Sequence, residues 1–378
     1  MAGIYIHVPF CRRACHYCDF HFTTNLSNTA PLVRSILKEI DIQKDYLHNE
    51  TVSTIYFGGG TPSLLPVADI GHILAAIRKH HVLDKDTEIT LEANPEDLSV
   101  EKLTELKSVG INRLSLGTQS FIDTELKWMN RMHTAEQAIK AISHAQSIGF
   151  DNISIDLIFG LPDQTTQDWQ FNLNAALGLN VQHISSYGLT IENRTVLGNR
   201  VAKGLEKQPD DALATECFQM NMEVLGANGF EHYEISNFAR PGYISQHNSS
   251  YWRGIPYLGI GPSAHSFNGN SRQWNVKSNS RYTSNISKGV SFFETETLTP
   301  TDRLNEQIMI GLRTKWGIHK EQMETIKQTS WEKLMRNIRS EDPSSFSLEH
   351  DRIRLTDSGK LMADRISAAL FFDEADYI

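Results

Sequence analysis

The sequence predicts an α/β fold: an open, partial barrel of six βα units, followed by a C-terminal α+β unit. Three observations predict it. Short β-branched apolar runs alternate with amphipathic helical patterns from residue 4 to about residue 187, the order of a parallel sheet with crossover helices. Glycines, carboxylates and amides gather directly after each apolar run, and the C-terminal rim of a (β/α) barrel is where sites are built. Beyond about residue 200 the alternation stops.

The elements follow in order. A strand over 4–8 leads into a cysteine-rich loop, and a helix is expected over 32–47. The next strand, 54–57, runs into Gly58, Gly59, Gly60 and Thr61, followed by a helix over 67–80. The strand over 88–92 precedes a helix that Ser99 caps at its start and Gly110 at its end. A strand over 113–116 is followed by two helical stretches within 123–148, which Gly149 closes. Strands over 152–158 and 183–187 complete the set. Six units make an open barrel rather than a closed eight-fold one. After these come a helix over 211–225, a strand over 230–235, a glycine-punctuated apolar segment over 257–265, and polar strands and turns to 298. A helix over 301–312, capped by Thr301 or Asp302, opens the last part, which reads helix, helix, hairpin over 346–355, helix. That order resembles a winged helix. The expected domains are 1–200, 201–298 and 299–378.

Composition narrows the function. The 378 residues are 40% hydrophobic, enough for a large core, and the formal net charge is −9. A negative chain argues against nonspecific nucleic-acid binding, which needs a basic surface. The C-terminal unit is therefore expected to be a lid or packing domain rather than a DNA reader. No apolar run reaches the ~20 residues of a membrane span. The first residues lack a charged n-region, so no secretory signal is expected. Unpaired thiols suit a reducing compartment, and a cytoplasmic protein is expected.

Three of the four cysteines, Cys11, Cys15 and Cys18, fall in eight residues with the spacing C-x3-C-x2-C. Soft thiolates suit an iron–sulfur cluster, and three ligands leave one iron of a [4Fe–4S] cluster open. A three-cysteine zinc site completed by His16 or His21 is the alternative, and three cysteines placed by packing alone the third. Distant Cys217 reads as a small buried hydrophobe. The spacing resembles the signature of the radical SAM superfamily, in which S-adenosylmethionine chelates the open iron. That cofactor presents an amine, a carboxylate, a ribose diol and a sulfonium. Triple glycine lets backbone groups approach a ligand closely. Glu92 is suited to the amine, Arg131 to the carboxylate, and Gln119 and Asp156 to the ribose hydroxyls. Each of these side chains also has an ordinary reading as a cap, a turn residue or a solvated charge.

Residues 5–22, 58–63, 117–121, 156–162 and 259–264 together resemble the oxygen-independent coproporphyrinogen III oxidase family, nearly over the whole chain. The resemblance implies cluster ligation by Cys11, Cys15 and Cys18. It also implies S-adenosylmethionine contacts from Tyr5, Tyr17, Gly59, Gly60, Thr61, Glu92, Gln119, Arg131, Asp156, Gly188 and Ala264, with the last two on looser alignment.

That family has two branches: dehydrogenases that decarboxylate two propionates of coproporphyrinogen III, and HemW-type heme chaperones. Phe20 stands where the dehydrogenases resemble C-x3-C-x2-C-x-C. The first strand is expected from about residue 4, where the dehydrogenases carry an N-terminal extension. Residues 247–252 match the chaperones' H-N-x-x-Y-W pattern. His247 is then expected to ligate heme iron, with Tyr251 and Trp252 offering flat faces to the porphyrin; from the residues alone, a core histidine bonded by Asn248 beside two buried aromatics is the favoured reading, and the resemblance reverses it. The expected partners are heme, heme-acceptor proteins and a reductant such as flavodoxin or ferredoxin, with a homodimer face after residue 240 and at most transient membrane association. The radical step is left open between an idle, a regulatory and a catalytic role, and a tRNA- or protein-modifying enzyme finds no support.

Overall fold

The computed structural model describes residues 1–373; residues 374–378 of the expected last domain lie outside it. The first half runs β1 (Ala2–Val8), α1 (Thr29–Ile42), β2 (Val52–Gly59), α2 (Val67–His80), β3 (Leu83–Ala93), α3 (Val100–Val109), β4 (Arg113–Gln119), α4 (Asp123–Trp128), α5 (Ala135–Ser147), β5 (Ile153–Phe159), α6 (Thr166–Gly178) and β6 (His183–Gly188). Strands β1 to β6 pair in sequence order, all parallel. The six expected units are present.

The sheet is larger than six strands. Past α7 (Val196–Ala202) and α8 (Asp211–Ala227) come the short β7 (Glu231–Glu234) and β8 (Asn237–Ala239); β8 pairs antiparallel with β6, and β7 antiparallel with β8 at the edge. Past α9 (Gln246–Trp252), β9 (Tyr257–Ile260) pairs parallel to β1, as a seventh parallel strand. Strands β10 (His265–Phe267) and β11 (Ser271–Asn275), then α10 (Asn279–Lys288) and β12 (Phe293–Thr297), complete that side. The order is β12-β11-β10-β9-β1-β2-β3-β4-β5-β6-β8-β7, with ends that do not meet.

The strands have one apolar and one polar face. Ile4, Ile6, Ile55, Phe57, Leu91, Leu114, Leu116, Ile153, Ile155 and Ile184 are buried against the helices. The alternate positions carry Tyr5, Tyr56, Glu88, Glu92, Arg113, Ser115, Asp156 and His183. A parallel sheet with helices on both faces is apolar on both; here the concave face is left for polar chemistry. Within α2, Ile70, Ile73, Leu74 and Ile77 are fully buried, each stabilising by about 1.5–3 kcal/mol.

Three expectations differ in detail. The first helix stops at Ile42 rather than 47, and the chain turns through His48 and Asn49 at positive φ. Leu47 is still buried, so the apolar spacing that suggested helix is met by a turn. The stretch expected to be strands and turns contains α10, capped by Ser278 and ended by Gly289 at φ 69°. Its mean polarity hides it; Tyr282 and Ile286 are its buried contacts. The cap of the helix after 298 is neither Thr301 nor Asp302 but Thr299. Asp302 is its capping-box partner.

That helix, α11 (Pro300–Leu312), begins a second core. It continues through β13 (Ile318–His319), α12 (Lys320–Ile326), α13 (Ser330–Ile338), the hairpin β14 (Phe346–Glu349) and β15 (Arg352–Leu355), α14 (Asp357–Lys360) and α15 (Ala363–Leu370). Its own cluster includes Leu304, Ile308, Leu334, Ile353 and Ile366. The strand order β13-β15-β14 with α12 and α13 between β13 and the hairpin is winged-helix-like.

Candidate functional site

The C-terminal ends of β1 to β6 surround a cavity of about 440 Å³. The loop after β1 brings Cys11, Cys15 and Cys18 to its mouth. Backbone bonds hold that loop: Cys11 N–H to Thr23 O at 3.0 Å, His16 N–H to Met129 O at 3.3 Å, and Leu197 N–H to His16 O at 2.8 Å. Asn130 at positive φ donates to Ala14 O at 2.7 Å. Arg12 pairs with buried Asp97 at 3.0 Å.

The sulfurs have donors. Thr61 Oγ1 lies 3.4 Å from Cys11 Sγ, and Nη1 of Arg131 lies 3.4 Å from Cys15 Sγ. Burial pushes the Cys11 and Cys18 thiols up to about 11, so a ligand-forming thiolate must gain a cation to replace its proton. The two histidines a zinc site would draw on are engaged elsewhere. His16 Nδ1 meets Trp128 O at 2.9 Å, and His21 Nε2 meets Asn279 at 2.8 Å. Three sulfurs beside an open cavity, two of them hydrogen-bonded to side chains, fit a cluster with one uncapped iron.

Most of the expected cofactor residues meet here. Tyr17, Gly59, Gly60, Thr61, Glu92 and Gln119 line the cavity with Arg131, Asp156 and Gly188. Glu92 accepts from Tyr56 Oη at 2.8 Å and from Gly59 N–H at 3.1 Å. Burial raises its carboxyl to about 7, against those hydrogen bonds. Burial likewise raises Asp156 to about 6, against hydrogen bonds from Ser185 and Ser115 and the charges of Arg113 and Arg131. Arg131 donates from Nη2 to Asn94 Oδ1 at 2.6 Å and Gly117 O at 2.7 Å. Its Nε is buried with no partner among the described residues, a donor suited to a ligand carboxylate. Gln119 adopts φ 64° at the rim.

The triple glycine works differently from the expectation. Its N–H groups are not free for a ligand: Gly59 donates to Glu92, Gly60 to Val8 O at 2.9 Å and Thr61 to Phe10 O at 2.7 Å. A Cβ on Gly60 would sit 2.7 Å from Phe10 O, and Gly59 has φ 107° beneath the His7 ring. The glycines let β2 pack backbone to backbone against the cysteine loop.

Three expected residues lie outside this cavity. Tyr5 stacks on Tyr56 at 6.1 Å, and its hydroxyl lies 3.1 Å from His7 Nδ1, facing a neighbouring cleft. Ala264 is buried in the turn between β9 and β10. His247 is 1% exposed at the base of the concave face. Its Nδ1 meets Thr54 Oγ1 at 2.8 Å, its Nε2 meets Tyr251 Oη at 2.8 Å, and its ring stacks on Tyr56 at 5.0 Å. Burial, reinforced by Arg113, lowers it to about 3. In this conformation it offers no open nitrogen to heme iron. Asn248 does not bond the ring; its N–H caps onto Ser245.

Sequence reasoning passed over Asn94, which joins Arg131 to Thr61 (Nδ2 to Oγ1, 3.3 Å). It also passed over Arg113, 1% exposed beneath the cavity and 4.0 Å from Glu88. Glu88 accepts the N–H groups of Gln246 and His247 at 3.1 and 3.0 Å and anchors the start of α9. The only signal was charge at inward positions of otherwise apolar strands.

Residues 5–174 match the family model of the radical SAM superfamily. A heme chaperone, HemW of Bacillus subtilis (strain 168), is 34% identical over 375 residues, covering 98% of this chain and 99% of that protein. The heme chaperone HemW of Escherichia coli (strain K12) is 38% identical over 266 residues, 70% of this chain and 69% of that one. The solved structure of Escherichia coli coproporphyrinogen III oxidase, HemN, a radical SAM enzyme, matches with TM-score 0.84 and 22% identity over 98% of this chain and 90% of that one; it shares the fold. With a third of its residues shared end to end with a HemW protein, on a half-barrel that gathers three cysteines at its rim, the chain belongs to the HemW family of the radical SAM superfamily.

Proposed function

We propose that this protein is a heme chaperone that holds a [4Fe–4S] cluster and S-adenosylmethionine and delivers heme to acceptor proteins. The observation that carries the reading is the match along 98% of the chain to a heme chaperone. Membership of the radical SAM superfamily implies the cluster and S-adenosylmethionine.

Cys11, Cys15 and Cys18 would ligate three irons. Glu92 would hold the amine, Arg131 the carboxylate and Gln119 and Asp156 the ribose, with Tyr17, Gly59, Gly60, Thr61 and Gly188 shaping the walls. Tyr5 and Ala264 would act from behind that wall, and His247 through Tyr251, to which it is bonded. When bound, the cluster and S-adenosylmethionine supply one-electron chemistry. The chain's part is to enclose them, which keeps water from a reactive species. A reductant such as flavodoxin or ferredoxin, a cytoplasmic setting, self-association after residue 240 and transient contact with membrane-bound acceptors complete the reading. Among the described residues no helix is long and apolar enough to cross a membrane.

Anaerobic reconstitution should load about four irons per chain, and Cys11→Ser should abolish that loading. Hemin added to the loaded protein should bind and pass to an apo-cytochrome. Conversion of coproporphyrinogen III to protoporphyrinogen, with reductant and S-adenosylmethionine, would replace this reading with the dehydrogenase.

A further inference from the structure

We propose that heme sits in the cleft beside the cysteine loop and that His265, rather than His247, supplies the imidazole to its iron. The inference rests on the heme-chaperone reading above. The cleft, of about 360 Å³, lies between the loop after β1 and the β9–β10 turn, and Tyr5, Phe20, His21, Tyr251, Tyr257 and His265 line it.

Three histidines face this cleft, and they differ in what their nitrogens do. His7 is 5% exposed, and its ring nitrogens meet Tyr5 Oη at 3.1 Å and His21 O at 3.0 Å. His21 spends Nε2 on Asn279 at 2.8 Å. His265 is exposed, and among the described residues neither of its ring nitrogens has a hydrogen-bond partner. Its ring leans on Trp274, directly across the β10–β11 pairing, with centroids 6.3 Å apart. An axial ligand needs a neutral imidazole with a free lone pair. Partial burial, with Arg272 and Lys277 nearby, favours the neutral form.

The surroundings select a planar tetrapyrrole over a bare ion. Among the described residues no three histidine, cysteine or acidic side chains converge to hold a single metal ion. A lone imidazole suits a metal that brings its own equatorial ligands. Phe20 is 73% exposed at the cleft's edge, an unusual cost for a phenylalanine unless something flat covers it. Tyr251 and Tyr257 also line a neighbouring cleft of about 450 Å³ that carries Arg253, Arg303 and Arg272, the last of them paired with Glu306. Guanidinium groups there match the paired carboxylates of heme. Phe20 is shared in turn with the cluster cavity, so bound heme would lie beside the cluster. In this arrangement His247 is a positioning residue that fixes Tyr251 from behind.

Hemin titrated into the cluster-loaded chain, read by resonance Raman and magnetic circular dichroism, tests the assignment. The wild type should show an imidazole-ligated iron. His265→Ala and His265→Gln should lose that signature and bind hemin about tenfold or more weakly, a difference of about 1.4 kcal/mol. Free imidazole should restore both. His247→Ala should keep the signature. The assignment is overturned if the His265 variants retain the wild-type signature, if imidazole restores nothing in either, or if His247→Ala is the variant that loses it. A wild type that takes up no hemin brings down the chaperone reading itself, and this assignment with it.

Discussion

The hydroxyl of Tyr251 lies 2.8 Å from Nε2 of His247, one turn earlier on α9, and Thr54 closes the other side of the ring at 2.8 Å. A neutral imidazole donates at one nitrogen and accepts at the other, and two hydroxyls satisfy either tautomer. Tyr251→Phe should leave one buried ring nitrogen unpaired and cost about 1–3 kcal/mol. His247→Ala, which also removes the ring stacked on Tyr56, should cost about 2–4 kcal/mol. Urea denaturation measures both, and equal stability of Tyr251→Phe and wild type would mean that the pairing carries no weight.

Arg131 bridges the cluster loop to the barrel, reaching Cys15, Asn94 and Gly117 at once. Lysine, a single point charge on a flexible stem, does not reproduce that fork. Arg131→Lys should therefore load less iron and sulfide and bleach faster in air, with Arg131→Ala worse. Wild-type iron content in both variants would refute a role in cluster retention.

Glu92 carries a pH signature. Burial raises its carboxyl to about 7, and only the ionised form attracts a cationic amine. S-adenosylmethionine affinity should strengthen as pH rises from 6 to 8, weakening about tenfold per unit below the carboxyl's value. Glu92→Gln should bind weakly and without that slope. Calorimetric titration at the two pH values decides it; a flat wild-type profile contradicts the assignment.

Glu39 makes the opposite kind of statement, about stability. Fully buried, it accepts from Gly261 N–H at 2.7 Å, Asn275 at 2.6 Å and Tyr282. Burial raises it from 4.5 to about 7, against those bonds. In the window between those values the folded chain binds more protons than the unfolded chain. Its contribution is thus full below about 4.5 and declines as pH rises to 7. The decline amounts to about 3 kcal/mol. Subtracting the Glu39→Gln stability curve from the wild-type curve between pH 5 and 8 isolates it, and parallel curves would disprove it.

Gly60 has no room for a methyl group, with Phe10 O at 2.7 Å and Val8 O at 2.8 Å from a Cβ there. Gly60→Ala should displace the cysteine loop, cost about 1–3 kcal/mol and reduce cluster loading. Gly226, inside α8 with nothing within 4 Å, is the control. Its alanine variant should gain about 0.5–1 kcal/mol. Equal effects at both positions would show that the contact at Gly60 is slack.

Much of the half-barrel was legible because its signal is local. Alternation in β1 to β6 separates helix-facing Ile4, Ile55 and Leu114 from Tyr5, Tyr56 and Arg113 on the opposite, polar face. Ser99 and Gly110 cap α3 as expected. Helix α10 escaped because two buried residues, Tyr282 and Ile286, make too faint a period. Strand β9 escaped as a partner of β1 because four residues cannot announce that they pair across more than 250 positions of chain.

The sequence by itself determined the strand–helix alternation, the three thiols and many of the residues that follow each strand at the rim, since each depends on neighbours close in the chain. Tertiary structure alone decided what the polar groups do. It closed the Gly59 and Gly60 backbone against the cysteine loop, sealed His247 between Thr54 and Tyr251, and left His265 open beside Phe20. Residue type sets what a histidine is able to do; burial and the partners at its two nitrogens, brought from distant strands, set which histidine is free to do it.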